Sequence, residues 1–188
     1  MEKYVNHPKC IAIGECGLDY FRLPEDEIQK LENIKKQKEV FIAQIEFAKK
    51  VKKPLIVHIR DASNDSRQIL VDYNAKEVGG VLHCYNASEH LLPLAEHNFY
   101  FGIGGVLTFK NAKKLIEVLP KIPKDKLLIE TDAPYLTPHP HRGERNEPYY
   151  TVFVAQKMAE LLEYSMEDIQ NLTTSNAKKL FKEFSCFS

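Results

Sequence analysis

Four residues of the types that bind divalent metals each follow a short apolar run. Glu15 follows Ile11-Ala12-Ile13-Gly14, His58 follows Leu55-Ile56-Val57, His83 follows Val81-Leu82, and Asp132 comes just after Leu127-Leu128-Ile129. Short apolar runs of this kind read as buried strands. Each polar residue then sits where a strand leaves the core, and a buried carboxylate there needs a partner. Two imidazoles with two carboxylates suit zinc, manganese, cobalt or iron better than a pure magnesium cage. Any one of the four alone reads as an ordinary polar residue at a strand end; four on separate strand ends point to a metal centre. Side-chain alternation puts Arg60 on the face of His58 and Glu130 on the face of Asp132. Arg60 can contact a substrate phosphate or hold a carboxylate ligand, and Glu130 can orient a histidine or a water. The same alternation turns Cys16 and Cys84 away from the metals, as small buried side chains.

The elements that must position these residues alternate along the chain. Strands are expected at 10–14, 55–57, 81–82, 99–104 and 127–129. Helices are expected at 25–53, 63–74, 89–97 (behind a Ser88 cap), 111–119, 150–164, 167–173 and 176–184. In the first, Val40, Phe41, Gln44, Ile45, Ala48 and Val51 trace an apolar stripe, and Lys35, Lys36, Lys38, Lys49, Lys50, Lys52 and Lys53 form a solvated face. Ser165 and Asp168 have capping-box spacing, and Ser175 can cap the last helix. The stretch 134–148 is irregular. Strand and helix in alternation mean an α/β protein with parallel strands and right-handed crossovers. An open sheet would spread the four residues along a row, whereas a (β/α)8 barrel converges its C-terminal strand ends on one site. A barrel needs eight strands and about 250 residues. The expectation is therefore a single domain over 1–188, a TIM barrel N-terminally truncated to about its last five strands and their helices. A truncated gene product or a misassigned start codon would give such a chain; a second polypeptide or a swapped dimer could complete it.

Bulk composition narrows the function. Lys+Arg and Asp+Glu are both 26, so the net charge is zero and any nucleic acid is held by a local patch. Cys10, Cys16, Cys84 and Cys186 show no CxxC spacing and read as reduced thiols. No apolar run approaches membrane-spanning length, and Met1-Glu2-Lys3-Tyr4 opens no signal peptide. The expected setting is cytoplasmic, with no membrane partner.

Five stretches closely resemble the TatD-type metal-dependent DNases, members of the amidohydrolase-like TIM barrels. They are Gly14-Glu15-Cys16-Gly17-Leu18-Asp19-Tyr20, Val57-His58-Ile59-Arg60, Leu82-His83-Cys84-Tyr85, Glu130-Thr131-Asp132-Ala133-Pro134-Tyr135-Leu136 and Arg142-Gly143-Glu144-Arg145-Asn146-Glu147-Pro148. The resemblance implies a divalent-metal-dependent hydrolase of phosphodiester bonds, an exonuclease on single-stranded DNA. It implies two metal ions per site, with Mg, Mn, Zn and Co not distinguished. Glu15 would bridge the two, His58 and His83 would bind one, and Asp132 would bind the other and act as base toward the attacking water. Glu15 and Asp132 are thus the catalytic candidates, and Arg60, His141 and Arg142 the substrate contacts. Family members carry a His-x-His pair on their first strand. Here His139-Pro140-His141 has that spacing, but proline does not fit a central strand. The metal held by Asp132 and Glu15 is therefore expected to bind weakly. Tyr20, Phe21, Arg22 and Tyr135 could line a nucleotide groove. Two alternatives stay open: hydrolysis of another ester such as D-aminoacyl-tRNA, and an inactive fragment or partner-completed chain.

Overall fold

Five parallel strands pair side by side in the order of the chain. They are β1 (Ile13–Asp19), β2 (Leu55–Arg60), β3 (Gly80–Leu82), β4 (Phe99–Ile103) and β5 (Leu127–Ile129). The computed structural model describes residues 3–182. Helices α1 (Glu27–Val51), α2 (Ser63–Asp72), α3 (Lys113–Val118), α4 (Thr151–Leu162) and α5 (Met166–Leu180) make up the rest of the frame, with 3-10 turns between them. Among the described residues the architecture is an α/β sheet of five strands; closure into a barrel is not part of it.

One face of the sheet carries the main core. Leu18, Leu55, Val57, Leu82, Phe99 and Phe101 pack there with Phe41, Ile45 and Ala48 of α1 and Val154 and Met158 of α4. A smaller cluster of Val81, Tyr100, Leu128 and Leu180 forms apart from it, with Ile56 packed alongside. Near-continuous apolar strands are what a parallel sheet covered on both faces requires. Asp26 caps α1 by accepting from Gln29 N–H, and Lys52 ends it in the left-handed region just before Pro54.

Several expected boundaries move, each for a physical reason. The first strand is not 10–14 but Ile13–Asp19, so Glu15 lies inside a strand rather than at its exit. Its register slips: Ile13 pairs with Leu55 and Cys16 with Val57, one extra residue on β1, which is a bulge. A bulge re-aims a side chain, and here it sets Glu15 beside the His58 imidazole. The 89–97 stretch is a 3-10 run with Pro93 inside it, and Ser88 makes no side-chain cap bond. The two expected C-terminal helices are one. Asn176 is buried and donates to the carbonyls of Lys124 and Leu127, so the polar run 173–176 is a docking face, not a break. The Ser165–Asp168 capping box is present at its start. The expected helix end at Phe184, and Cys186, lie outside the described residues. Lys53 is not on a solvated face: it is buried, and its Nζ donates to the Cys10 carbonyl. Among the described residues no helix is long and apolar enough to cross a membrane.

Candidate active site

The C-terminal ends of the strands open onto a cavity of about 520 Å³, lined in part by Glu15, His58, Arg60, His83 and Asp132. This is the end of a parallel sheet where ligands bind. His58 Nδ1 lies 3.0 Å from Glu15 Oε1, and its Nε2 lies 3.2 Å from Asp19 Oδ2. His83 Nδ1 lies 2.5 Å from Glu130 Oε2, and its Nε2 lies 3.3 Å from Asp132 Oδ1. Each imidazole is thus held between an inner carboxylate that lines the cavity and an outer one that stands behind it.

Local structure explains the placement. Glu130 has room because β4 runs out into Gly104; a Cβ there would overlap Glu130 Oε1. Apart from the ion-pair contact with His83, both Glu130 oxygens are buried without a hydrogen-bond partner. Asp132 follows β5 in a loop tied down by Asn146. That buried side chain donates to Thr131 Oγ1 at 3.1 Å and to the Tyr135 carbonyl at 2.6 Å. Thr131 Oγ1 also accepts from Ala133 N–H at 3.2 Å.

The electrostatics follow from these contacts. Burial pushes the Cys16 thiol up to about 12, with Glu15 adding to it. Burial and then the Glu130, Asp132 and Glu15 carboxylates do the same for Cys84. Asp19 sits below the usual carboxylate range: desolvation opposes this, but the Phe21 N–H and His58 outweigh it. The Glu130 carboxylate raises the His83 imidazolium to about 9 against its partial burial, helped by Glu15 and Asp132. A raised histidine pKa stabilises the fold fully below the unfolded value, near 6.5, and that contribution is lost as pH rises through about 9. With screening by water at the cavity, the loss is about 1–2 kcal/mol. In the metal-free chain the urea midpoint should therefore fall between pH 6 and pH 9.5. A His83→Gln variant should lose that part of the fall, and an unchanged pH profile would remove His83 as its source.

The structure brings Glu15, His58, His83, Asp132 and Arg60 to one cavity. The Arg60 guanidinium lies over the Phe21 ring, 3.6 Å from its centroid. His141 and Arg142 stand elsewhere: His141 stacks on Tyr150 at 4.4 Å and contacts Glu144 at 3.1 Å, and Arg142 covers the Phe109 ring at 4.0 Å. Neither belongs to the cavity lining. The Tyr20 hydroxyl donates to Asp65 at 2.7 Å. Cys84 does line the cavity, against the expectation from alternation. β3 ends at Leu82 and Cys84 has a φ of 44°, so the strand pattern does not reach it. Sequence reasoning gave no role to Asp19, Asn86, Asn111 or Lys114; the last three add a polar wall to the cavity. Lys114 comes from the first turn of α3 and Asn111 from the segment just before it, and neither carries a sequence signal of that position.

Among the described residues no three His, Cys, Asp or Glu side chains stand, as they are, in an arrangement that could hold a metal ion. The nitrogen and oxygen donors contact one another instead. The donor set itself fits a divalent cation: imidazole nitrogens and carboxylate oxygens, from separate stretches of the chain, face a common cavity.

A family profile described as TatD related DNase matches residues 1–182. The chain belongs to this TatD family. It is 50% identical over 179 residues to YabD of Bacillus subtilis (strain 168), an uncharacterized metal-dependent hydrolase, covering 94% of this chain and 67% of that protein. It is 36% identical over 184 residues to the 3'-5' ssDNA/RNA exonuclease TatD of Escherichia fergusonii, covering 93% of this chain and 66% of that one. The crystal structure of YJJV, a TatD homologue from Escherichia coli K12, superposes with a TM-score of 0.84 at 26% identity, over 96% of this chain and 68% of that one. The chain thus spans about two thirds of the length of each of these TatD relatives. The family match runs from residue 1 and lends no support to the expectation that N-terminal strands are missing.

Proposed function

We propose that this TatD-family chain hydrolyses phosphodiester bonds with divalent metal ions, acting as an exonuclease on single-stranded DNA. The observation that carries the reading is the pairing of His58 with Glu15 and of His83 with Asp132, all four facing one cavity. The name of the Escherichia fergusonii relative supports the substrate class. The fold-level part of the reading is a TIM-barrel wall, whose catalytic residues come from C-terminal strand ends. Unpaired thiols at Cys10, Cys16 and Cys84 fit a reducing, cytoplasmic setting.

Glu15, His58 and His83 would hold one ion, and Glu15 with Asp132 a second. When bound, such ions supply charge stabilisation and a water of lowered pKa. The rest falls to the chain. Asp132 accepts the proton of the attacking water at its carboxylate. Arg60 and Lys114, on the cavity wall, bind the non-bridging phosphate oxygens. His141 and Arg142, set back from the cavity, contact the strand beyond the reacting phosphate. Glu130 orients His83, which must be neutral to act as a ligand, so metal binding releases its proton.

The test uses the purified chain, stripped with a chelator and reconstituted with Mg, Mn, Co or Zn, against end-labelled single-stranded and duplex DNA. Cleavage should require added metal, prefer the single strand and shorten it from the 3' end. Metal binding without any cleavage of single strands, or cleavage that survives chelation, would overturn the reading. An aminoacyl ester assayed in parallel should remain intact.

A further inference from the structure

The two histidines face the cavity with different nitrogens. His83 turns Nε2 toward Asp132 with Nδ1 against Glu130, whereas His58 turns Nδ1 toward Glu15 with Nε2 against Asp19. Glu130 is the outer carboxylate of the first pair. Asp19 occupies the equivalent place in the second, and it approaches from outside the cavity, in a depression on the α1 side lined also by Gln37 and His58. We infer that Asp19 is the positioning residue that makes His58 present Nδ1, not Nε2, to the metal; this rests on the metal-centre reading above.

An ionised carboxylate only accepts hydrogen bonds. Nδ1 faces Glu15 Oε1 at 3.0 Å, but the hydrogen bond of the ring is the one between Nε2 and Asp19 Oδ2 at 3.2 Å. A neutral ring that keeps its hydrogen on Nε2 for Asp19 leaves the Nδ1 lone pair for the ion that Glu15 would share. Asp19 is held where it can do this. Its Oδ1 accepts from Phe21 N–H at 2.9 Å. Its backbone is clamped by Gln37 of α1, which accepts from Asp19 N–H and donates to the Asp19 carbonyl, both at 2.8 Å. The clamp takes the place of a neighbouring strand on the outer edge of β1. No other side chain contacts His58 Nε2 at hydrogen-bond distance among the described residues.

Asp19→Asn is the decisive variant. Asn keeps an oxygen for Phe21 N–H, so the turn survives, but it then offers His58 Nε2 an amide donor in place of an acceptor. The ring proton moves to Nδ1, the nitrogen meant for the ion. Two measurements follow. In the metal-free chain, nitrogen-15 NMR of the neutral imidazole should show the hydrogen on Nε2 in the wild type and on Nδ1 in Asp19→Asn. Zinc titration by calorimetry should show affinity reduced about 10–100-fold in the variant, with unchanged circular dichroism. Unchanged zinc affinity together with an unchanged Nε2 signal would overturn the inference. If the wild type binds no zinc, the metal-centre reading fails on its own, and the Nε2 signal still decides what Asp19 does to His58.

Discussion

Replacing Asp132 with Asn is expected to lower the turnover of single-stranded DNA by about 10²–10⁴-fold, the range for removing a positioned general base. On the proposed reading the carboxylate serves the chemistry and not the fold. The loop that carries it is fixed through Thr131 and Asn146, and among the described residues the one side-chain hydrogen-bond contact of the Asp132 carboxylate is with His83 Nε2, at 3.3 Å. Asn is nearly isosteric, so the cavity keeps its shape, but an amide cannot take a proton from water. The loss should fall on kcat, with KM close to the wild-type value, because Arg60 and Lys114 still bind the phosphate. The ion held by Glu15, His58 and His83 should stay bound, which elemental analysis of the variant checks. A fall in KM-limited binding with kcat preserved would recast Asp132 as a ligand alone. A kcat within tenfold of wild type would remove it as the base.

What the sequence made legible, and what it hid, divides along physical lines. Ligand-type residues after apolar runs were readable because parallel strands buried on both faces are almost purely apolar, so the first polar residue marks the strand's end. That logic found His83 and Asp132; it also picked out His58 and Glu15, but β2 runs past His58 to Arg60 and β1 runs past Glu15. β1 continues through the buried Cys16 and Leu18 to Asp19, and a bulge places Glu15 beside His58. Asp19 drew no role because its partner is 39 positions away in the chain. Cys84 escaped the alternation rule because its φ of 44° lies outside any strand. Thr173 and Asn176 looked like a helix break because their burial depends on tertiary partners: Asn176 reaches the backbone just before β5. His141 and Arg142 were readable as members of a motif, but a proline-rich loop gives no periodicity from which to place a side chain. Their stacking on Tyr150 and Phe109 emerges only in three dimensions.

The largest effect on stability is expected from Gly17→Ala. Gly17 pairs with His58 across β1 and β2 and has a φ of 138°. An L-residue is strained at such a φ, at about 1–2 kcal/mol. The added Cβ would also run into the His58 carbonyl oxygen, with the His58 nitrogen close behind. Both are backbone atoms of a paired strand, so no rotamer change relieves the overlap; β1 has to move away from β2. We expect a loss of about 3–5 kcal/mol. At ~2–4 °C per kcal/mol for a chain of this size, Tm falls by about 10 °C or more. The site should respond too. Moving β1 carries Glu15 and Asp19 away from the two His58 nitrogens they contact. Zinc, which stabilises by binding only the folded chain, should then raise Tm less in the variant than in the wild type. Melts at matched zinc concentrations measure both effects. A loss of stability with the full zinc increment retained would show that β1 shifts without disturbing His58. A Tm within about 3 °C of wild type, under 1–2 kcal/mol by the same conversion, would mean that the close approach of Gly17 to His58 is not what holds the first strand in register.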